Sequence, residues 1–245
     1  MLLGAAERPW GPDSSNPAGP ARPQGQTVPS FVETGTTIGQ DTDGVVISRA
    51  LLMVYIPTTP LPAGGIGSYV ASATYNGTLI NMLDVRPGLF PFDAALTSKN
   101  INNVTGVTTF SGAQNLVDAH PPLTAAKMVP RLMGCKTDAP TLTLHFTSIV
   151  TRQSVTIPEQ TTASTTKTFR RGDAKADGVV NAADTLFIAQ YIAGNRQVGD
   201  GTGLVHPINA ASVKQDVGGD KITVADALLI AQMIVGIRNS CYLLP

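Results

Sequence analysis

The C-terminal third of this chain contains one segment twice. Asp184-Thr-Leu-Phe-Ile-Ala-Gln-Tyr-Ile-Ala-Gly-Asn-Arg196 recurs 42 positions later as Asp226-Ala-Leu-Leu-Ile-Ala-Gln-Met-Ile-Val-Gly-Ile-Arg238, with eight of 13 residues identical. Chance is a poor explanation for such a match, so both copies should build the same unit. Each reads as a short helix. The apolar stretches Thr185 to Ala193 and Ala227 to Val235 end at Gly194 and Gly236, where a C-cap wants glycine.

A loop precedes each helix. Asp173-Ala-Lys-Ala-Asp177-Gly178-Val-Val-Asn181-Ala-Ala-Asp184 puts acids at positions 1, 5 and 12, Gly at 6 and Asn at 9. That is calcium-loop spacing: Ca²⁺ takes six to eight oxygens, and a twelve-residue loop turning at Gly wraps them around one point. The ligands nominated are Asp173, Asp177, the Val179 carbonyl, Asn181 and Asp184, with Val180 turned toward the core. Lys175 stands at position 3, where an oxygen belongs, so its ammonium should point outward and weaken the site. The second loop is one residue short, lacking the Gly expected after Asp220. Asp216, Asp220, the Lys221 carbonyl, Thr223 and Asp226 are its candidate ligands. The chain therefore calls for one or two calcium ions, unless the acids of one or both loops merely cap helices.

Upstream the pattern changes to strands. Val45 to Ile47, Ala50 to Ile56, Tyr69 to Tyr75, Thr78 to Val85, Val104 to Phe110 and Thr141 to Ile149 are short apolar, Thr- and aromatic-rich runs separated by Gly- or Pro-bearing loops. Many short strands without interleaved helices predict a β-sandwich over 36–160. Residues 161–171, opening Thr-Thr-Ala-Ser-Thr-Thr-Lys-Thr, read as a linker or an edge strand. Residues 172–245 form the helical module. Residues 1–35 form a Pro/Gly-rich arm, with six Pro and four Gly in the first thirty positions. Pro fixes φ and removes a donor, so an extended arm is expected, with Gln26 to Arg49 able to add a strand to a neighbour's sheet.

Residues 172–238 resemble a dockerin, carried by the two loop-plus-helix units, Asp at position 12 and the Ala-Gln-Tyr-Ile-Ala-Gly helix. In that family, loop positions 10 and 11 help contact a cohesin partner. The resemblance so nominates Ala182, Ala183, Val224 and Ala225, small apolar residues suited to a packing face. The long connection from Arg196 to Gln215 departs from the family pattern. The β region is similar to a cohesin-like sandwich of jelly-roll type, carried by Leu61 to Gly88 and by Leu142-Thr-Leu-His-Phe146 with Ser154-Val-Thr-Ile157. The fold class expected is mainly β, a cohesin-like sandwich plus a dockerin-like pair of calcium-loop helices.

Composition narrows the function. Lys and Arg number 17 against 17 Asp and Glu, and charged residues are 14% of the chain. No basic stripe points to nucleic acid. No run approaches the about 18 apolar residues a membrane span needs. Met1 to Ala6 has the apolar character of a signal-peptide fragment without its basic start or length. Three Glu, three scattered His and no nucleophile or Cys-x-x-Cys motif nominate no catalytic residue, so an enzyme is not expected. Cys135 and Cys241 form a disulfide if the protein is exported, and are free buried thiols otherwise. Asn76-Gly-Thr78 and Asn103-Val-Thr105 fit glycosylation triplets.

A chain carrying a receptor-like and a partner-like module can join head to tail and propagate. The function expected is a subunit of a secreted, self-assembling fibre or surface layer, partnered by copies of itself and rigidified by calcium. The alternatives are a cellulosome-like adaptor docking on a separate cohesin-bearing scaffold, and a carbohydrate-binding surface protein with both modules packed in cis. Trp10 is the sole Trp, which disfavours the last. All three place the chain outside the cell or on its surface.

Overall fold

The computed structural model describes residues 29–40, 46–56, 64–115, 123–157, 163–198, 205–215 and 221–244. Two antiparallel sheets face each other. The first orders β1 (Ser30–Gln40), β2 (Val46–Ile56), β7 (Leu123–Leu132) and β4 (Ile80–Pro87) side by side. The second orders β5 (Ser98–Asn102), β6 (Val107–Ala113), β3 (Ile66–Tyr75), β8 (Thr141–Thr151) and β9 (Ser164–Thr168). The short strand β10 (Lys221–Ile222), from the C-terminal module, joins the first sheet by pairing with Arg49 and Ser48 of β2.

Alternation explains most of this. β3 and β6 bury every second residue, and the inward set meets that of the facing sheet. Tyr69 is the hinge of the core. Its ring makes edge contacts with Phe92, Phe110 and Phe146 at 5.2, 6.2 and 5.8 Å. Its hydroxyl crosses to the other sheet and donates to the Ala125 carbonyl at 2.6 Å. Charge marks the two seams between the sheets. Lys167 of β9 pairs with Glu33 of β1 at 3.0 Å, and Lys99 of β5 pairs with Asp84 of β4 at 2.6 Å.

The run Ala50 to Ile56 does not alternate, and the fold shows why. Ala50, Leu51, Leu52, Val54 and Ile56 are all buried, because β2 is covered by the second sheet on one face and by the helical module on the other. β7 is covered in the same way. Pro130, inside β7, stands opposite Met82, where the register with β4 shifts. A bulge is where a strand tolerates a residue without an N–H.

Two boundaries expected from sequence move. Residue 35 lies in the middle of β1, so the arm cannot end there. Ser30–Gln40 and Val46–Arg49 are already paired within their own sheet, with Ser30 opposite Tyr55 and Gln40 opposite Val46, and are not the unpaired strand expected to add to a neighbour. Residues 1–28 of the expected arm, Trp10 included, lie outside the described residues. The Thr-rich segment takes the edge-strand option: Ser164–Thr168 is β9, with Thr166 Oγ1 hydrogen-bonded to Thr143 Oγ1 of β8 at 2.7 Å.

The repeated helices are α1 (Ala182–Ile192) and α3 (Val224–Ile234). Each begins three residues ahead of the apolar run, because Asn181 with Asp184, and Thr223 with Asp226, form capping boxes. Each ends at its glycine in the left-handed region, Gly194 at φ 77° and Gly236 at φ 80°. Between them lies α2 (Pro207–Ala211), with Pro at its start.

Candidate docking surfaces and the calcium-type loop

The described part of the connection expected from Arg196 to Gln215, residues 205–215, fastens the helical module to its own sandwich. α2 lies on β1, β2 and β7. The backbone N–H of Ile208 donates to Glu33 Oε2 at 3.2 Å, and His206 Nδ1 lies 3.5 Å from Glu33 Oε1. Ser212 Oγ accepts from Leu132 N at 3.0 Å and donates to the Ile208 carbonyl at 2.8 Å. Asn209 ties α2 to the start of the first loop: its Oδ1 accepts from Arg170 N at 3.0 Å and its Nδ2 donates to the Asp173 carbonyl at 2.9 Å.

Arg171 completes the joint. Its Nε donates to Ser212 O at 3.0 Å and its Nη2 to Val213 O at 2.8 Å. Its Nη1 donates to Gly134 O at 3.1 Å and Cys241 O at 3.2 Å. Tyr242 stacks on the guanidinium, 4.7 Å from the ring centre, and donates from its hydroxyl to the Arg171 carbonyl at 2.9 Å. Burial depresses the Arg171 pKa to about 10. A disulfide joins Cys135, just after β7, to Cys241, closing the C-terminal tail over this joint.

The first loop brings its expected residues into one turn of chain, each carboxylate already engaged. Asp173 accepts from Asp177 N at 3.1 Å and Gly178 N at 2.8 Å. Asp184, fully buried, accepts from Lys175 N at 3.0 Å and Asn181 N at 2.8 Å. Asp177 accepts from Val179 N at 3.0 Å and pairs with the Lys175 ammonium at 2.9 Å. That ammonium therefore pairs with the position-5 carboxylate while its side chain stays at the surface, 36% exposed. Asn181 Oδ1 accepts from Ala183 N at 2.8 Å as an N-cap. Burial pushes the Asp184 carboxyl up to about 6, opposed by its two backbone donors and reinforced by the negative charges of Asp173 and Asp177. Donor chemistry, oxygens from three Asp, one Asn and the Val179 carbonyl, suits a hard divalent cation. Among the described residues, however, no group of three or more His, Cys, Asp or Glu is gathered to hold a metal.

In the second loop, Asp216 and Asp220 lie outside the described residues. Lys221 is in β10. Asp226, fully buried, accepts from Thr223 N at 2.8 Å, Thr223 Oγ1 at 3.2 Å and Lys214 N at 2.9 Å. The two copies thus share the same capping use of their last Asp.

Among the described residues, two surfaces stay open. On the helices, Ala182 and Val224 are exposed and Ala183 and Ala225 half-buried, while the repeat-related Leu186 and Leu228 are 53% and 54% exposed. The motif pointed to the first four; Leu186 and Leu228 were visible only as equivalent positions of the repeat. The other surface is the outer face of the second sheet. Its outward positions carry Asn102, Val107, Thr74, Thr143 and Thr166 in one cross-strand row, and Asn100, Thr109, Ser72, His145 and Ser164 in the next. Neither row holds an acid, a lysine or an arginine.

The architecture is thus a two-sheet sandwich fused in cis to a duplicated loop-and-helix module. No protein-family model matches the chain, and no curated protein matches it. Among solved structures it is similar to a cohesin module from a Clostridium perfringens family 33 glycoside hydrolase, at 12% identity and a TM-score of 0.37, covering 58% of this chain and 97% of that one. A non-cellulosomal cohesin from the archaeon Archaeoglobus fulgidus aligns at 11% identity and a TM-score of 0.33, over 53% and 83%. A chain of a type I cohesin–dockerin complex from Clostridium thermocellum aligns at 16% identity and a TM-score of 0.33, over 56% and 90%.

Proposed function

We propose that this protein is a non-catalytic docking subunit of an extracellular assembly, held to a partner that carries the complementary cohesin-type or dockerin-type module. One observation carries the reading. α2 and Arg171 fasten the helical module by its back, so the first turns of α1 and α3 and the uncharged sheet face are open at the same time. A surface of Ala, Val and Leu beside polar, neutral Thr and Asn is suited to close packing without desolvating charge. Calcium in the first loop, through oxygens of Asp173, Asp177, Asn181, Asp184 and the Val179 carbonyl, would require these carboxylates to draw together out of the capping bonds and the Lys175 pair they make here.

A second reading shares the geometry. Because one chain owns both surfaces, the partner of each is another copy, and the product is a fibre or surface layer. Affinity capture with the calcium-loaded protein, alongside light scattering of the protein alone, separates the two. Recovery of a distinct module-bearing protein supports docking; growth of large species from pure protein supports self-assembly. Introducing charge with Ala182→Arg and Val224→Arg should abolish whichever contact is found. Capture or growth that survives both substitutions would overturn the helix-face assignment.

A further inference from the structure

Both Asn-x-Thr triplets fall at the same end of the sandwich, Asn76-Gly77-Thr78 in the turn after β3 and Asn103-Val104-Thr105 in the turn after β5. The two turns touch. Tyr75 N donates to Gly106 O at 2.8 Å, and a Cβ at Gly77 would overlap the Asn103 carbonyl oxygen.

Their amides do opposite work. Asn103 Oδ1 accepts from Met82 N at 2.8 Å and from the Tyr75 hydroxyl at 2.7 Å, and Asn103 Nδ2 donates to Met82 O at 3.0 Å. It stands in for a strand residue against β4, gripping both backbone groups of Met82. The hydroxyl of its triplet, Thr105 Oγ1, donates elsewhere, to Asn102 O at 3.4 Å. Asn76 is exposed. Its Oδ1 accepts from Thr78 N at 3.0 Å and Thr78 Oγ1 at 2.8 Å, and its Nδ2 makes no hydrogen bond among the described residues. Asn76 Nδ2 is therefore accessible to a transferase, with the hydroxyl of its own triplet held on the same amide.

We infer that Asn76 is an N-glycan acceptor and that Asn103 is a latch residue excluded from modification in the folded protein. The donor is a polyprenyl-phosphate- or pyrophosphate-linked oligosaccharide. A bond forms between Asn76 Nδ2 and the anomeric carbon, and the bond from that carbon to phosphate oxygen breaks. The lipid phosphate leaves with the electron pair, and the amide proton passes to a carboxylate of the transferase. A sugar on Asn103 Nδ2 would lie against the β4 backbone beside the buried Met82, so chains modified there could not close this end of the sandwich. The inference requires export through a glycosylating compartment, in keeping with the disulfide.

The full chain secreted from a eukaryotic host is the test, read by peptide mass spectrometry with enzymatic glycan release. The expected result is a glycan on the Asn76 peptide and none on the Asn103 peptide. Asn76→Gln should lose all N-linked mass, with a smaller drop in melting temperature than Asn103→Gln, since the bonds it loses are at the surface. Thr78→Ala, which keeps the asparagine, should lose it too. Asn103→Gln should melt lower, or fail to be secreted, for a reason unrelated to sugar. Occupancy at Asn103 in secreted, folded protein, with or without Asn76, overturns the inference. So does an unmodified Asn76, or a glycan that survives Thr78→Ala.

Discussion

Replacing Arg171 by alanine should uncouple the helical module from the sandwich. The guanidinium is buried and donates to four backbone carbonyls from three separate segments: Gly134 after β7, Ser212 and Val213 after α2, and Cys241 in the tail. A hydrogen bond from a charged donor contributes about 1.5–3 kcal/mol, and orphaned buried acceptors lose more than the bond alone. Four such bonds are not additive, since water can reach some carbonyls once the side chain is gone, so the expected net loss is about 4 kcal/mol. For a domain of this size that lowers the melting temperature by roughly 8–16 °C. Arg171→Lys should recover less than half of the loss, because an ammonium cannot present the planar fork that reaches three segments at once. The control is the neighbouring Arg170→Ala, whose Nη1 reaches Lys136 O at 3.1 Å and Thr137 O at 3.4 Å at the surface. It should cost about 1 kcal/mol or less. Calorimetry on the three variants decides. If Arg171→Ala melts within the range of Arg170→Ala, the joint is not what holds the two parts together.

Other expectations follow from the same geometry. Burial raises the Glu33 pKa, but the hydrogen bond from His206 and the charge of Lys167 outweigh it, leaving the carboxyl below its ordinary value. A depressed folded pKa stabilises above the unfolded pKa of about 4.5 and is lost as pH falls through the folded value. Glu33→Gln should therefore cost stability at neutral pH, and that cost should shrink as pH falls through the lowered folded value, read as two converging acid-denaturation curves. Equal losses at neutral and acid pH would contradict the ion-pair reading. Reducing Cys135–Cys241, or substituting both by Ser, releases a loop of 106 residues and should cost about 4–5 kcal/mol on the chain-entropy account, measured by urea unfolding. Calcium at about 100 times its Kd should add about 2.7 kcal/mol of stability, and Asp173→Asn should remove the response. No change in melting temperature between calcium and chelator would count against ion binding in the first loop.

Much of the helical module was legible because its signals are local. Caps, terminal glycines and a 42-residue repeat depend on near neighbours, so the helices Ala182–Ile192 and Val224–Ile234 fall on the stretches expected at Thr185 to Ala193 and Ala227 to Val235, each starting three residues earlier. β1, β7 and α2 were missed for the opposite reason. β1 reads Ser-Phe-Val-Glu-Thr-Gly-Thr-Thr, and its one acid, Glu33, looks like a surface residue until Lys167 and His206 arrive from far along the chain. β7 contains Pro130, which argues against a strand unless the bulge opposite Met82 is known. Pro207 to Ala211 is too short to show a period, and only burial against β2 and β7 makes it a helix. The calcium spacing was readable, but the turn of the Lys175 ammonium onto Asp177 is a matter of side-chain direction that spacing does not carry.

The placement of β10 has a consequence for how the protein is made. Strand β2, near the front of the chain, completes its pairing only when Lys221 and Ile222 arrive, and the covering of β2 and β7 waits for α2. Arg171 waits longer still, for Cys241 and Tyr242, 70 and more residues further along the chain. The sandwich emerges from the ribosome first with an apolar outer flank, Leu51 and Val129 among it, and nothing yet to shield it. Contacts of such long sequence separation form slowly, and exposed flanks of this kind aggregate. Truncation ahead of Cys241 should therefore lower soluble yield far more than the share of the core it removes would suggest.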